Sequence, residues 1–270
     1  MITIISPAKN MKVDKEGTKP VSLPYYLEEA KDIWKELKQM MPSDLQVLMK
    51  INDKLADDSF DRIQHMKFDM EGTSALETYD GIQYKYMNPQ TFTEEAREFA
   101  QNHLRVLSGL YGVVRPYDSI YEYRLEMLTK LTVTSSVDGT IAKNLYEFWG
   151  RRLHDRLLDE MILGDKEEKG GPGSYDGHNI ILNLASDEYG KTIKKYVKEP
   201  DRIITCHFKV YSKGQYRVQA TAAKMARGSM VRYICENQID NPEEVKAFDW
   251  DGYRFEESLS GPAEYVFLKD

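Results

Sequence analysis

Cysteine is scarce in this sequence, whose 270 residues include only Cys206 and Cys235. Neither thiol belongs to a Cys-x-x-Cys pair, and two cysteines are too few for the disulfide framework that stabilises small secreted domains. The scarcity therefore excludes a disulfide-rich extracellular scaffold. It favours a protein that works in a reducing cytoplasm.

Long apolar runs are also lacking. The longest extend over only a few residues, whereas a membrane-spanning helix needs roughly 20. Residues 1–7 have neither the basic region nor the apolar stretch of a signal peptide, and their pattern is typical of a buried strand that ends at Ser6-Pro7. The sequence thus predicts a cytoplasmic protein with no membrane partner.

No metal-binding spacing is present. The five histidines, at positions 65, 103, 154, 178 and 207, form neither a His-Glu-x-x-His motif nor another known ligand pattern. We therefore expect no metal, and nothing in the sequence calls for a cofactor.

Internal repeats, low-complexity tracts and long linkers are absent as well. The composition, 41% hydrophobic and 30% charged, is that of an ordinary globular chain. A length of 270 residues lies within the range of roughly 250–300 residues that one hydrophobic core can serve. We predict one domain over residues 1–270, and we favour a monomer.

The net charge of −7 is distributed unevenly. Residues 191–233 contain eleven Lys or Arg and only two acidic residues, which leaves this segment at +9 and the rest of the chain at −16. Such asymmetry indicates a basic face on an acidic body, which would steer an anionic ligand to one side of the molecule. An ordinary solvated face is the alternative interpretation.

Hydrophobic spacing predicts an α+β fold of the irregular α/β kind, with a mixed sheet surrounded by helices. Apolar runs predict strands over 2–5, 179–184 and 263–268, and alternation predicts a hairpin of strands 202–211 and 215–221. Helical spacing covers 24–41 and two further stretches that end near residue 66. The N-terminal third is therefore expected to be mostly helical.

Capping signals predict further helices. Thr91 and Glu94 form a capping box for a helix that would end near Gly109, and Ser186 is a candidate N-cap for a helix that reaches Lys195. The remaining predicted helices cover 140–161, 222–236 and a short stretch after Asn241-Pro242. Residues 170–173 are predicted to be a flexible surface loop without chemistry.

Polar side chains concentrate in segments where packing alone would not need them. These segments are Ser6-Pro7-Ala8-Lys9, residues 103–116 with the continuation Tyr123-Arg124-Leu-Glu126-Met127, Asn183-Leu-Ala-Ser186-Asp187-Glu188-Tyr189, and Ala223-Lys224-Met-Ala-Arg227-Gly228.

With Leu145-Tyr146-Glu147-Phe148-Trp149-Gly150 and Glu236-Asn237, these segments resemble in order and spacing the signature blocks of the YaaA family of bacterial peroxide-stress proteins, over residues 1–268. The resemblance implies a protein that limits iron-driven oxidative damage. It also implies binding of double- or single-stranded DNA through a positively charged cleft that includes a helix-hairpin-helix element. Where the family usually has Gly-Asp-Val-Tyr and then Gly-Leu, this chain has Gly81-Ile82-Gln83-Tyr84 and Tyr86-Met87, and so lacks the acidic residue and the second glycine.

The candidate DNA-binding residues are basic, or lie at a helix N-terminus where backbone N–H groups favour an anion. Guanidinium groups suit phosphate, and residues three apart share one helix face. Such contacts predict steep salt dependence and little base specificity. The candidates are Lys9, Arg105, Arg115, Arg124, Asn183, Ser186, Arg217, Lys224, Arg227 and Arg232.

Several of these candidates also have purely structural interpretations. Lys9 alone would be interpreted as a solvated surface lysine, and Lys224 and Arg227 as partners of acidic neighbours. Arg124 could pair with Glu126, and Ser186 could serve only as a helix cap.

Two other functions stay open at this point. In one, the protein is an enzyme acting on nucleic acid or a nucleotide-like anion, with Lys9 or Lys224 as a Schiff-base amine and Glu126 or Glu188 as the acid/base partner. In the other, the basic face binds an acidic protein.

Two segments compete for the helix-hairpin-helix element that the resemblance implies. Residues 45–63 are predicted to be helical on both sides of a short turn, and residues 104–120 contain Gly109 and Gly112. We prefer 45–63. Two amphipathic helices joined by a turn also occur simply as packing units.

Overall fold

The computed structural model of the chain describes residues 1–14, 16–164 and 178–270. Its strands, in chain order, are β1 (Ile2–Ile5), β2 (Asn10–Met11), β3 (Thr73–Ser74), β4 (Tyr79–Asp80), β5 (Leu104–Ser108), β6 (Gly112–Val114), β7 (Ser119–Ile120), β8 (Val133–Thr134), β9 (Ile141–Ala142), β10 (Ile180–Asn183), β11 (Arg202–Ser212), β12 (Gln215–Arg217), β13 (Arg254–Phe255) and β14 (Glu264–Lys269).

The α-helices are α1 (Leu27–Lys38), α2 (Pro42–Met49), α3 (Asp53–His65), α4 (Ala75–Thr78), α5 (Ile82–Met87), α6 (Glu94–His103), α7 (Leu145–Trp149), α8 (Arg152–Gly164), α9 (Asp187–Lys194) and α10 (Ala220–Glu236). Short 3₁₀ helices cover Pro89–Thr91, Glu244–Ala247, Trp250–Gly252 and Glu257–Leu259. No described helix combines the length and apolar character that crossing a bilayer requires.

One mixed sheet organises the fold, in the order β13-β14-β11-β10-β1-β5-β6, with β12 paired to β11. The five inner strands from β14 to β5 run parallel. β13 pairs antiparallel with β14, β6 with β5 and β12 with β11. Every residue of β1 and β10 is buried, as expected for parallel strands covered on both faces. The predicted mixed sheet with surrounding helices is confirmed.

The position of β1 inside this sheet determines where a ligand can bind. From β1 the chain crosses to β5 on one side, whereas β10 and β11 lie on its other side. The loops after β1 and β10 therefore leave neighbouring strand ends in opposite directions. Such a switch point opens a crevice at the carboxyl edge of a parallel sheet.

The helical N-terminal third is confirmed by α1, α2 and α3. Ala30, Ile33 and Leu37 of α1 are buried, and the Trp34 indole N–H donates to the Ile63 carbonyl of α3 at 2.8 Å. α2 and α3 are joined by residues 50–52, in which Lys50 has a φ of 52° and Asn52 caps α3. The helix–turn–helix path predicted over 45–63 is thus present. Residues 104–120 instead contain strands β5, β6 and β7, so the competing segment is wrong.

The helix predicted after Thr91 is confirmed as α6, but its predicted end near Gly109 is wrong, because α6 stops at His103. Thr93 rather than Thr91 caps it, accepting from the Ala96 N–H at 3.3 Å. Residues 104–108 continue as β5, all five buried beside β1. A short, fully buried run of residues such as 104–108 is compatible with either a central strand or a helix. Here the pairing with β1 makes it a strand.

The single helix predicted over 140–161 is divided into β9, α7 and α8. Asn144 caps α7, accepting from the Glu147 N–H at 3.0 Å, and Gly150 ends it with a φ of 50° that glycine adopts readily. The loop predicted over 170–173 lies outside the described residues.

The C-terminal predictions are mostly confirmed. The β11–β12 hairpin turns at Lys213 and Gly214, both with positive φ, as its tight connection requires. β12 is shorter than predicted, because the chain enters α10 at Ala220. The last predicted helix is the 3₁₀ turn Glu244–Ala247, and the final strand is β14.

Candidate functional site

A cavity of about 300 Å³ lies at the carboxyl edge of the sheet, between the loops that follow β1 and β10. We call it the switch-point cleft. Its lining residues come from these two loops, the β4–α5 corner, the segment after β7, the start of α9 and one face of α10. They are Ser6, Pro7, Ala8, Lys9, Asn10, Asp80, Gly81, Ile82, Gln83, Tyr84, Tyr123, Arg124, Leu125, Glu126, Ser186, Glu188, Tyr189, Lys224 and Arg227.

Short backbone pairings bring the cleft together. β2 pairs antiparallel with β4, so the loop after β1 lies against the corner that leads into α5. α5 then packs on α10 at Gly228, where any Cβ would overlap the Gln83 carbonyl oxygen. A glycine at this position lets the two helices approach closely. The approach brings Gln83 to the same cavity as Lys224 and Arg227.

Ser6 and Ser186 join the two strand-end loops. The Ser6 hydroxyl accepts from the Ser186 N–H at 2.9 Å and donates to the Ser186 hydroxyl at 3.1 Å. The Tyr84 hydroxyl donates to the Ser6 carbonyl at 2.9 Å. Although Ser186 occupies the N-cap position of α9, its side chain makes no cap hydrogen bond. The predicted N-cap position of Ser186 is confirmed, while its hydroxyl bonds to Ser6 rather than to the helix.

Lys9, Glu126 and Glu188 form the exposed side of the cleft. The Lys9 ammonium lies 2.8 Å from Glu126 Oε1, with the lysine side chain 62% exposed. Glu188 Oε1 accepts from the Leu128 N–H at 3.2 Å. Burial, with the charge of Glu126, raises the pKa of the Glu188 carboxyl, while Lys9 and backbone N–H groups oppose the rise. A carboxyl and an amine thus face the same space.

Arg227 lines the cleft from α10, and no hydrogen bond or ion pair joins its partly buried guanidinium to any described residue. Its Nε is fully buried and unpartnered. Burial lowers the pKa of Arg227, and the charge of Asp187 partly compensates. Lys224 is one turn earlier and exposed. A buried cation with no protein partner is costly, so this position favours an anion from outside.

Arg124 and Gln83 add two more donors. Arg124 Nη1 donates to the Lys9 carbonyl at 3.4 Å, while its Nε is buried without a partner. Gln83 is only 7% exposed, and its Nε2 has no partner among the described residues. Three cleft side chains, those of Gln83, Arg124 and Arg227, therefore each have a hydrogen-bond donor with no partner among the described residues.

Buried tyrosines support the cleft from below. The Tyr123 hydroxyl lies 2.7 Å from Ser108 Oγ and 2.8 Å from the Tyr79 hydroxyl. Burial raises the pKa of Tyr123 to about 12, so this network stays neutral at physiological pH. It holds the segment that carries Arg124 and Glu126.

A sequence model described as peroxide stress protein YaaA matches residues 1–259. The chain belongs to the YaaA family. A UPF0246 protein of Clostridioides difficile (strain 630) is 44% identical over 270 residues, which is the full length of both chains. Others from Agathobacter rectalis and Pediococcus pentosaceus are 39% and 38% identical, covering 99% and 100% of this chain and 98% of each relative. Membership of the YaaA family supports a role in the peroxide-stress response.

Five of the ten residues predicted to bind DNA line the cleft of this YaaA-family chain, together with both candidate acid/base residues, Glu126 and Glu188. The five are Lys9, Arg124, Ser186, Lys224 and Arg227. The predicted segments thus converge, although they are spread over more than 200 residues of sequence.

Arg105 and Arg115 are engaged elsewhere. Arg105 is 4% exposed, pairs with Glu160 at 2.6 Å and donates to three backbone carbonyls. Arg115 pairs at 3.0 Å with Asp118, whose carboxyl is buried. Because their donors are already used, we place both outside the proposed interface.

Asn183, Arg217 and Arg232 also lie outside the cleft. Asn183 is buried, where its Oδ1 accepts from the Ala185 N–H at 3.0 Å and shapes the turn after β10. Arg232 donates to the Met87 and Asn88 carbonyls at the end of α5, and pairs with Glu236. Arg217 is exposed on the hairpin strand β12.

Sequence reasoning missed Gln83, Tyr84 and Ser6 as parts of the site. Ser6 stood in a segment already noted for its polar residues, but only as the end of a strand. Gln83 and Tyr84 lie in the block that departs from the YaaA-family pattern. That departure was the available signal, since the β2–β4 pairing brings the same block to the cleft.

Proposed function

We propose that this chain acts in the peroxide-stress response by binding DNA, largely independently of sequence, through phosphate contacts in the switch-point cleft. Protein bound in this way would shield the covered phosphates from iron and so limit iron-driven oxidative damage. Family membership supports the stress role. The observation that carries the binding proposal is the convergence of Lys9, Arg124, Lys224 and Arg227 on one cavity, with no described partner for Arg227.

The charge arrangement is consistent with this proposal. Glu126 neutralises Lys9 in the free protein, so a phosphate would have to compete for that lysine. Lys224 and Arg227 have no such competitor within hydrogen-bond distance among the described residues. These two α10 side chains should therefore contribute most of the phosphate affinity.

Salt dependence tests the binding proposal. Affinity for duplex and single-stranded oligonucleotides should fall linearly on a plot of log affinity against log salt. The variant Lys224→Ala/Arg227→Ala should bind more weakly and flatten the slope by about 1 for each phosphate that it no longer neutralises. Lys35→Ala, an exposed lysine of α1 that does not line the cleft, should leave the slope unchanged. A flat plot for the unmodified chain would overturn the proposal.

An enzyme acting on nucleic acid or a nucleotide-like anion is the second candidate. It is favoured by the Lys9 amine and the Glu188 carboxyl of raised pKa in the same cleft. Borohydride would trap a Schiff base between the chain and an abasic strand, and Lys9→Arg and Lys224→Arg would show which amine reacts. If no adduct forms, this Schiff-base mechanism fails while the binding proposal stands.

A further inference from the structure

The Gln83 carboxamide is the most unusual polar group of the cleft. It is 7% exposed, lies on the first turn of α5 and has an Nε2 with no described partner. Phosphate binding does not explain it, because a neutral amide adds little where guanidinium and ammonium groups are already present. A buried amide donor is expensive to leave unbonded, so a side chain kept in this state suggests a ligand group that matches an amide.

The size of the cavity restricts that ligand. About 300 Å³ is at the small end of ligand pockets, so a double helix could bring only its backbone phosphates to this cavity and could not place a base pair inside it. Inorganic phosphate offers mainly acceptor oxygens, so it could accept from Arg227 and from the amide N–H but would not match the donor and acceptor of the Gln83 carboxamide together. A ligand that satisfies both groups needs an anionic end and a planar end with adjacent hydrogen-bond donors and acceptors.

A nucleobase edge has this pattern. A glutamine carboxamide presents a donor and an acceptor side by side, the arrangement that pairs with a base through two hydrogen bonds. The buried rings of Tyr84 and Tyr123 line the same cavity and provide apolar surface for the base. The cations lie on α10 and after β7, and the amide lies on α5, which packs on α10 at Gly228, so one ligand in this cavity can contact both kinds of group.

We propose that the switch-point cleft holds one whole nucleotide, with its phosphate against Lys224 and Arg227 and its base edge on the Gln83 carboxamide. The inference deepens the proposed function and rests on it only in using the same cleft as the anion site. The nucleotide is either a free mononucleotide or one residue of a strand, at an end or turned out of the stack. Glu126 and Glu188 line the same cavity.

Calorimetric titration with a deoxynucleoside 5′-monophosphate, inorganic phosphate and the matching deoxynucleoside tests the ligand class. The nucleotide should bind at least about tenfold more tightly than either phosphate or the nucleoside alone, because two hydrogen bonds between the base edge and Gln83 add to the phosphate contacts. Equal affinity for nucleotide and phosphate would overturn the inference.

The variant Gln83→Met tests the role of the amide at nearly constant volume. Nucleotide affinity should fall about tenfold, phosphate affinity should stay the same, and the thermal midpoint should stay the same or rise because an unbonded buried donor is removed. Gln90→Met, at an exposed glutamine outside the cleft, is the matched control and should change neither affinity. A fall in stability with unchanged nucleotide affinity would show a structural role only and overturn the inference.

Competition with a labelled oligonucleotide separates this inference from the proposed function. Displacement of the strand by the mononucleotide supports both and places a residue of the strand in the cleft. Nucleotide binding without displacement supports a free nucleotide as ligand and counts against DNA binding at this site. Salt-dependent DNA binding by a chain that ignores the mononucleotide supports the proposed function and overturns the inference.

Discussion

Arg105 and Arg227 show at the scale of single residues how partners decide what a charge does. Arg105 is almost fully buried and is held by Glu160 and backbone carbonyls. Arg227 is partly buried, and the described chain offers it no hydrogen bond. The first residue therefore stabilises the fold, whereas the second costs stability in the free chain.

Replacing each of these arginines with methionine should separate the two roles. Arg105→Met removes the hydrogen bonds to three backbone carbonyls and the ion pair with the buried Glu160. It should therefore lower the free energy of unfolding by about 3 kcal/mol. Arg227→Met removes a partly buried charge that has no described hydrogen-bond partner, so it should leave stability unchanged or higher while weakening the proposed DNA binding. Urea denaturation and oligonucleotide binding measure the two effects. Equal destabilisation by both variants would contradict this distinction.

Glu188 should make DNA binding dependent on pH. Burial raises the pKa of its carboxyl, so the proton is held more tightly in the folded chain. The contribution of this pKa shift to the free energy of unfolding is complete below the ordinary carboxyl pKa. It is lost as pH rises through the raised pKa of Glu188. The negative charge that then appears, in a cleft that Glu126 and Asp80 also line, repels phosphate.

Oligonucleotide affinity at constant salt should therefore fall as pH rises above the ordinary carboxyl pKa and through the raised pKa of Glu188, where phosphodiesters do not titrate. Glu188→Gln should bind more tightly at neutral pH and lose this part of the pH dependence. Glu257→Gln, at an exposed carboxylate outside the cleft, is the control. An identical profile for Glu188→Gln and the unmodified chain would exclude Glu188 as the titrating group.

Among the helices, the packing of α5 on α10 controls the geometry of the cleft. Gly228 permits the close approach, and Arg232 of the same helix donates to the carbonyls that end α5. Both interactions hold α5, and with it Gln83, against the helix that carries the cleft cations.

Gly228→Ala should disturb this packing. Its new Cβ would overlap backbone of α5, which cannot rotate away as a side chain would. We expect a loss of about 1–3 kcal/mol in the free energy of unfolding and weaker binding in the cleft. Gly261→Ala, where a Cβ meets no atom and φ is not positive, should change stability by less than about 0.5 kcal/mol. Equal stability of the two variants in urea would contradict the close approach of the two helices.

At the scale of the whole molecule, two different surfaces are candidates for the proposed DNA contact. The α2–α3 pair has the helix–turn–helix path, but residues 42–65 contain five aspartates against two lysines and one arginine. The switch-point cleft instead faces the basic segment through Lys224 and Arg227. Electrostatics therefore favours the cleft over the α2–α3 turn.

Hydrogen exchange of the intact chain, with and without a saturating oligonucleotide, should distinguish these surfaces. Protection is expected in residues 6–10, 81–87, 185–189 and 223–228, because bound phosphate shields and orders the cleft. Residues 50–52 between α2 and α3 should exchange at the same rate in both states. Protection confined to residues 50–52 would instead support the helix-hairpin-helix element as the DNA-binding surface.

How much of the fold could be predicted depends on how far apart in the sequence the interacting residues lie. Strand β1, the helices of the N-terminal third, the β11–β12 hairpin and α10 were predicted correctly, because periodicity and local turn chemistry are present in neighbouring residues. Residues 104–108 were predicted as helix and form β5, because pairing with β1, about 100 residues away, decides their conformation.

The amino-acid sequence by itself determined the family, the mixed fold and the segments that hold the polar residues, since these follow from local pattern and ordered blocks. Only the tertiary structure decided which of these polar residues lie together in the cleft. It engaged Arg105 and Arg115 in ion pairs, left Arg227 without a described partner and brought Gln83 to the cleft. The reason is physical: burial and pairing are set by strand order and by the packing of α5 on α10, which join residues far apart in the chain.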